Sequence, residues 1–472
     1  LAALELKGKR ALVMGLGLHD GGLGVTKFLI AQGADVTVTD LRSAEILKPS
    51  LEALQGLPVK LVLGVHREED FRQAQIVIKN PAVPRESRFL EIARQAGAAI
   101  EMELSLFFQL CRSKLILGIT GTRGKTTTTL LVGSILKAWR PDAVVAGNLR
   151  VSALNKLDEI GPDTPVALEM SSWQLEGFGE RGISPRYAAV TNMSPDHLNR
   201  YRNMADYANA KREIYRHQRT DGLLVLNAAD PMVSTFAEDA PGKVAWFAAQ
   251  PLTKGQAGAF VRDGNFIWRD WAGNEEEVGP LSLLKLPGQH NLLNALTAIA
   301  LTKGAGVPTE AIRQGLESFT GVSDRLELVR ELDGVRYIND TTSTSPAATV
   351  AALEALQETN PSGIVLIAGG ADKNLEFGPM ATAIANPQNK VKAVILLKGS
   401  ATARLQAAME AAGADQKFVE GPLDNFEEAI RFAQSKAKAA DVVLLSPGCA
   451  SFGLFTHEFE RGQRFREIVH KL

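Results

Sequence analysis

Seven consecutive residues, Gly121-Thr122-Arg123-Gly124-Lys125-Thr126-Thr127, set two glycines, a lysine and hydroxyl side chains at a spacing suited to binding a polyphosphate. A glycine-rich turn lets backbone N–H groups converge on phosphate oxygens, and the positive end of a following helix adds to their pull. Lys125 would neutralise charge on the β and γ phosphates, and the Thr126 hydroxyl would ligate Mg²⁺. The apolar run KLILGIT before the turn and TTTTLLVGSIL after it provide the strand and helix such a loop needs. Ile119 occupies the first glycine of the strict pattern G-x-x-x-x-G-K-S/T, so the loop departs from the general nucleotide-hydrolase form.

Further polar groups stand where buried strands end, the place in which α/β proteins put chemistry. Glu169 closes VALE, and Asp196 and His197 follow the run YAAV, with Lys211 on a helix-like stretch beyond. Taken singly, each has an ordinary reading. Glu169 would be a solvated side chain in a polar loop, and Lys211 a solvated charge on an amphipathic helix. His197 would be a hydrogen-bonded structural residue, since imidazole is not a preferred Mg²⁺ ligand.

The elements that position these groups fall into three blocks of strand-length apolar runs alternating with helical segments, which predicts parallel sheets covered by helices. The first block reads ALVMG, a glycine cluster, the helix VTKFLIAQG closed by Gly33, and DVTVTD ending at Asp40, followed by KLVLG and by QIVIKN stopped at Pro81. The second runs from KLILG through VALEM and YAAVT, and the third begins near Gly321 with VRYIND, SPAATVAALEAL, GIVLIAGG, AVILLKG and VVLLSPG. A chain of 472 residues exceeds one hydrophobic core, which stops growing at roughly 250 to 300 residues. With 52 basic and 53 acidic side chains, the net charge of −1 offers no long-range attraction for nucleic acid or an anionic membrane. Cys111 and Cys449 are too few and too far apart for a disulfide framework or a cysteine zinc site. A reducing, cytoplasmic setting is expected, with no export signal and no membrane span.

The form G-T-x-G-K-T-T resembles the ATP loop of Mur ligases and of folylpolyglutamate synthetases, and further segments extend the likeness. Glu169-Met170-Ser171-Ser172-Trp173-Gln174-Leu175 is similar to the E-x-S-S-x-Q-L segment of Mur ligases, and Asn192-Met193-Ser194-Pro195-Asp196-His197-Leu198 to N-x-x-x-D-H-L. Lys211 matches the lysine that members carry as a carbamate. Gly288-Gln289-His290-Asn291-Leu292-Leu293-Asn294-Ala295 resembles G-x-H-N-x-x-N-A, and Arg325 with Ile338-Asn339-Asp340 completes the set. The resemblance implies a three-domain α/β protein: an N-terminal Rossmann-like UDP-substrate domain at 1–112, a central P-loop ATPase-type domain at 113–320, and a C-terminal Rossmann-like glutamate domain at 321–472. It implies an ATP-dependent amide-bond-forming ligase that acts through an acyl phosphate in peptidoglycan synthesis, as a cytoplasmic monomer. By the same likeness Gly121, Thr122, Gly124, Lys125, Thr126 and Thr127 hold the phosphates, with Asn294, Arg325 and Asp340 on the rest of the nucleotide. Thr126 and Glu169 would hold one Mg²⁺, and His197 with a carbamylated Lys211 a second, leaving Lys125, His197 and Lys211 as the catalytic set.

The first block resembles the glutamate-adding branch of the family. Gly15-Leu16-Gly17-Leu18 begins like a dinucleotide fingerprint, but Asp20 stands at its third glycine, which speaks against the rival reading as an NAD oxidoreductase. The branch implies UDP-N-acetylmuramoyl-L-alanine as acceptor, bound by Gly17, Leu18, Asp40, Leu41, Arg42, Asn148, Ser171 and Gln174. Glutamate would meet Thr344, Lys373 and Ser451, the D isomer favoured over the L. Two departures bear on that subsite: the family's N-D-S-K-A-T is here Asn339-Asp340-Thr341-Thr342-Ser343-Thr344, and the aromatic residue in Phe455-Thr456-His457-Glu458-Phe459 is shifted by one. An L-glutamate-adding enzyme or a folylpolyglutamate synthetase-like ligase remain alternatives, although the latter carries no such N-terminal block. A non-catalytic Mur-like subunit would need a four-cysteine zinc ribbon that two cysteines cannot build.

Overall fold

Apolar runs bounded by glycine and proline form three separate sheets in the computed structural model, which describes residues 5–17, 20–149, 152–198, 200–286, 288–357 and 359–472. The first sheet is wholly parallel, in the order Val59–Leu63, Asp35–Asp40, Arg10–Met14, Ile76–Lys79 and Ala99–Glu101. Its central strand is buried on both faces, as a parallel sheet between helices must be. Ala11 and Val13 pack with Val25 and Leu29 of the helix Asp20–Ala31, while Leu12 and Met14 pack with Phe71 and Leu90 on the other side.

The second sheet has nine strands. Ile116–Thr120 lies between Val166–Glu169 and Tyr187–Val190, parallel to both, and all five of its residues are buried. Ile119 is fully buried between Glu169 and Ala189 of the neighbouring strands. Its side chain therefore serves the core where the strict loop pattern has glycine, and truncating such a residue to alanine costs about 2 to 5 kcal/mol. At the far edge, Gly258–Arg262, Asn265–Arg269 and Glu275–Pro280 form an antiparallel meander, which the strand–helix alternation did not predict. The third sheet runs Glu327–Leu332, Val335–Asn339, Val442–Leu445, Ile364–Gly369, Val391–Leu397 and Phe418–Leu423. Its only antiparallel pair among the described residues is at the Glu327–Leu332 edge.

The chain divides into two compact units, Leu1–Lys285 with Gln289–Phe319, and Leu286–Gly288 with Thr320–Leu472. The first two sheets share the first unit, and one hydrophobic cluster runs through both, from Val13 and Leu16 to Leu168 and Val190. Among the described residues, no helix is long and apolar enough to cross a membrane.

Candidate active site

The glycine loop joins the buried strand Ile116–Thr120 to the helix Lys125–Trp139. Gly121 (φ +147°) and Gly124 (φ +79°) take backbone conformations that side chains resist. Space forbids a side chain as well: a Cβ would stand 1.9 Å from Thr191 Oγ1 at Gly121 and 2.3 Å from Asn294 Oδ1 at Gly124. The loop is bracketed by Asn192, whose Oδ1 accepts from Arg123 N at 2.9 Å and whose Nδ2 donates to Arg123 O at 3.0 Å. Thr122 N donates to Asn192 O, and Thr122 Oγ1 accepts from Ser194 N at 3.1 Å. Gly124, which has no side chain to cap with, precedes the helix; the first N–H groups of a helix have no intrahelical partner and lie at the positive end of its dipole. Thr126 is half-buried and Thr127 buried in that first turn, and Asn294 Oδ1 accepts from Thr128 Oγ1 at 3.2 Å.

Two lysines converge on this loop. Lys125 Nζ donates to Gly121 O at 3.1 Å and Thr122 O at 2.9 Å, and Lys211 Nζ donates to the same Gly121 O at 2.8 Å. Lys211 is only 1% exposed, so its reading as a solvated charge is wrong; it lies 4.7 Å from the ring centre of Tyr207, one helical turn earlier. Burial, then the neighbouring Lys125, push its amine well below the usual lysine range, against a smaller opposing pull from Asp196. His197 is exposed, takes a left-handed φ of +53°, and stands 5.2 Å from the Trp173 ring. Burial lowers its pKa despite Asp196, with Lys211 and Lys125 adding to the decrease.

Glu169, whose ordinary reading taken singly is a solvated side chain, is 1% exposed at the end of its strand, and its Oε1 accepts from Asn148 Nδ2 at 3.0 Å. Ser171 and Gln174 form a reciprocal cap of the helix Ser172–Arg181, in which Ser171 Oγ accepts from Gln174 N and Gln174 Oε1 accepts from Ser171 N. That is a capping box, and it gives the S-S-x-Q spacing a structural reason besides any contact with substrate. Gln174 and Asn148 also line a cavity of about 190 Å³ together with Gly15, Asn80 and Pro81, which follow strands of the first sheet, and Gly22 of the helix Asp20–Ala31. Gly15 (φ +97°) lets Asn80 close in, a Cβ there standing 2.8 Å from that of Asn80. Asp40 is buried and accepts from Gly17 N at 3.2 Å and Arg42 N at 2.9 Å, while Leu41 is exposed. Leu18 lies outside the described residues.

The second unit is built around the Asn339–Thr344 loop. Asp340 is buried, accepting from Ser343 Oγ (2.5 Å), Ser446 Oγ (2.7 Å) and Leu326 N (3.2 Å), and burial raises its pKa to about 6 against those hydrogen bonds and a pull from Arg325. Thr342, at the place of the family's lysine, donates its hydroxyl to Asp324 O at 2.8 Å. Buried Arg461 donates to Thr341 Oγ1 and O, both at 2.9 Å, fixing the loop from behind. Lys373 Nζ donates to Thr344 Oγ1 at 2.9 Å. Ser451 is 4% exposed and its Oγ is buried with no hydrogen-bond partner among the described residues.

Among the described residues, no three His, Cys, Asp or Glu side chains cluster as a metal cage. Mg²⁺ needs none, because it keeps several waters and takes one or two carboxylates together with phosphate oxygens. A buried Glu169 beside the glycine cradle, with the Thr126 hydroxyl at the helix start, fits that sparse mode.

Three family models cover these sheets in turn: the N-terminal domain of MurD-like Mur ligases over 9–101, the Mur ligase middle domain over 119–302, and the Mur ligase glutamate ligase domain over 324–449. The chain is 52% identical over 471 residues to the UDP-N-acetylmuramoylalanine--D-glutamate ligase of Roseiflexus sp. (strain RS-1), covering 99% of both chains. The chain belongs to the Mur ligase family. A protein of the same printed name from Symbiobacterium thermophilum is 39% identical, covering all of both chains. Two solved Mur ligase structures share the fold: MurC of Thermotoga maritima (TM-score 0.60, 22% identity, 98% of this chain and 99% of that one) and MurF of Acinetobacter baumannii (0.61, 18%, 100% and 92%). As a Mur ligase, the protein is an ATP-dependent amide-bond-forming ligase, a family that works with Mg²⁺.

In this Mur ligase, Gly121, Thr122, Gly124, Lys125, Lys211 and Asn294 come together around one loop, as the motifs suggest. Arg325, Asp340, Thr344, Lys373 and Ser451 lie in the other unit. Two contributors were not singled out from sequence. Asn192 stands in a quoted motif, but its pairing with Arg123 is between chain segments far apart in sequence. Tyr207 could have been found, since it sits four residues before Lys211 and so on the same helix face.

Proposed function

We propose that this Mur ligase joins D-glutamate to UDP-N-acetylmuramoyl-L-alanine, as a monomer in the cytoplasm. The full-length likeness to relatives named for that reaction carries the reading, and the lysine pair at the glycine loop supplies its chemistry. The acceptor carboxylate attacks the γ phosphorus of ATP, and the amine of glutamate then displaces phosphate from the acyl phosphate. Lys125 and the loop amides hold the phosphates and take up the charge that gathers as two anions approach. Bound Mg²⁺ would shield the same charge. Thr126 and Glu169 would hold one ion, and His197 with carbamylated Lys211 a second. Burial lowers the pKa of Lys211, which favours the neutral amine, the form that reacts with carbon dioxide.

The Gly15–Gly17 turn, Asp40, Leu41 and Arg42 would receive the UDP portion, and the cavity facing Asn148 and Gln174 its peptide end. Arg325 and Asp340 would contact the nucleotide. Glutamate's carboxylates would meet Lys373, Thr344 and the buried Ser451 hydroxyl. ADP release from purified protein with ATP, Mg²⁺ and acceptor should be highest with D-glutamate. A preference for L-lysine or meso-diaminopimelate overturns the acceptor assignment, and a preference for L-glutamate overturns its stereochemistry. Lys211→Ala should be nearly inactive and regain part of its rate with added short carboxylic acids; an unmodified lysine in active protein refutes the carbamate.

A further inference from the structure

Arg200 lies outside every motif assigned above, yet it touches three parts of the first unit at once. Its guanidinium donates to Pro81 O at 2.9 Å, a wall of the cavity beside the first sheet. It also donates to Glu176 Oε2 at 2.9 Å, on the helix that Ser171 and Gln174 cap. Its face covers Trp173 at 4.6 Å, and the Trp173 ring stands 5.2 Å from His197. The backbone N of Arg200 donates to His197 O at 2.9 Å, and that of the next residue, Tyr201, to the same oxygen at 3.0 Å. Tyr201 Oη donates to the other oxygen of Glu176 at 3.0 Å, so one buried carboxylate holds both side chains.

Only a planar fork makes this set of contacts. A guanidinium has a flat face for stacking and N–H groups that diverge in its plane, whereas an ammonium is a single compact charge. A lysine could keep the ion pair with Glu176 but not the stacking and the Pro81 contact together. The left-handed φ of His197 is a sparsely populated conformation for a non-glycine residue, held by its surroundings.

We infer that Arg200 is a positioning residue that locks the acceptor-side wall of the cavity to the turn bearing His197, so that the acceptor carboxylate and the phosphate-handling groups are held in register. This rests on the proposed reading, in which the cavity receives the acceptor and His197 serves the reacting phosphate. Misplacing reacting groups by an ångström through a residue remote from the chemistry can lower a rate about 100-fold.

The test compares Arg200→Lys and Arg200→Ala with the wild-type enzyme, using UDP-N-acetylmuramoyl-L-alanine, D-glutamate, ATP and Mg²⁺. Arg200→Lys should lose about 100-fold in kcat and raise the KM for the acceptor while leaving the KM for ATP unchanged. Guanidinium ion added to Arg200→Ala should restore part of the rate. Wild-type kinetics in Arg200→Lys, or equal rises in both KM values, overturn the inference. Glu176→Gln, which keeps the shape but weakens the grip, should move the same parameters less. Hydrogen exchange separates this inference from the functional reading: Arg200→Lys should exchange faster in peptides spanning 80–83 and 197–201. Unchanged exchange in both overturns the link whatever the activity, whereas a wild-type protein inactive on this acceptor with the exchange effect present sinks only the functional reading.

Discussion

The two glycine turns of the first unit use the same backbone device and dress it differently. Each follows a buried parallel strand, opens a helix, and contains positive-φ glycines at 15 and 17 or at 121 and 124. At the first turn the amide of Gly17 is held by a carboxylate, Asp40, and Gly15 is closed by the neutral Asn80. At the second, two lysines converge on one carbonyl. A carboxylate beside an anion site sets shape and repels surplus charge; the ammonium of Lys125 attracts it. One turn is therefore suited to holding a ligand in place, and the other to drawing charge together during a reaction.

Lys125→Ala should widen that contrast most. Loss of a fixed cation at a phosphoryl-transfer site should lower kcat by about 1,000-fold or more. Positional isotope exchange in ATP without glutamate should vanish with it, and exchange that persists would show that Lys125 takes no part in acyl-phosphate formation. A smaller, differently shaped effect is expected at the first turn. Asp40→Asn weakens two backbone contacts and should raise the KM for the UDP-linked acceptor roughly tenfold, about 1.4 kcal/mol, with kcat kept. A fall in kcat there would erase the distinction between the turns.

Lys79, also a lysine beside a glycine turn, gives a test read in stability and not in rate. It is 1% exposed, donates only to Val83 O at 3.4 Å among the described residues, and burial pushes its pKa down to about 8, outweighing the pull of Glu176 and Glu180. Below pH 8 both folded and unfolded states carry the charge, and the folded state bears the whole burial penalty, about 3 kcal/mol. As pH rises from about 8 towards 10.5 the folded protein loses this proton first and the penalty is relieved. Lys79→Met should therefore stabilise the protein most at neutral pH in thermal melts, with a gain that shrinks on the alkaline side. A pH-independent difference would mean that packing, not charge, separates the variants.

Strand-to-loop geometry was legible because local patterning decides it: KLILGIT, the glycine loop and the threonine-rich helix lie next to one another in the chain. The family motifs likewise marked Lys211 and Glu169. Their burial was not legible, since an isolated lysine or glutamate reads as solvated until the neighbouring strands close over it. Nor was the meander from Gly258 to Pro280, whose short runs, GAFVR and NFIWR, carry no helix between them. Contacts such as Arg200 with Pro81, 119 residues apart, exist only after the sheets share a core.

The Asn192 bracket around Arg123 has a thermodynamic consequence. A side-chain amide that both accepts from and donates to the main chain of the loop does the work of a neighbouring strand, so the loop is already ordered before any phosphate arrives. Nucleotide binding should then spend little conformational entropy on this segment. In calorimetry the enzyme should bind nucleotide with a smaller entropic penalty than Asn192→Ala, in which the ligand itself must set the loop.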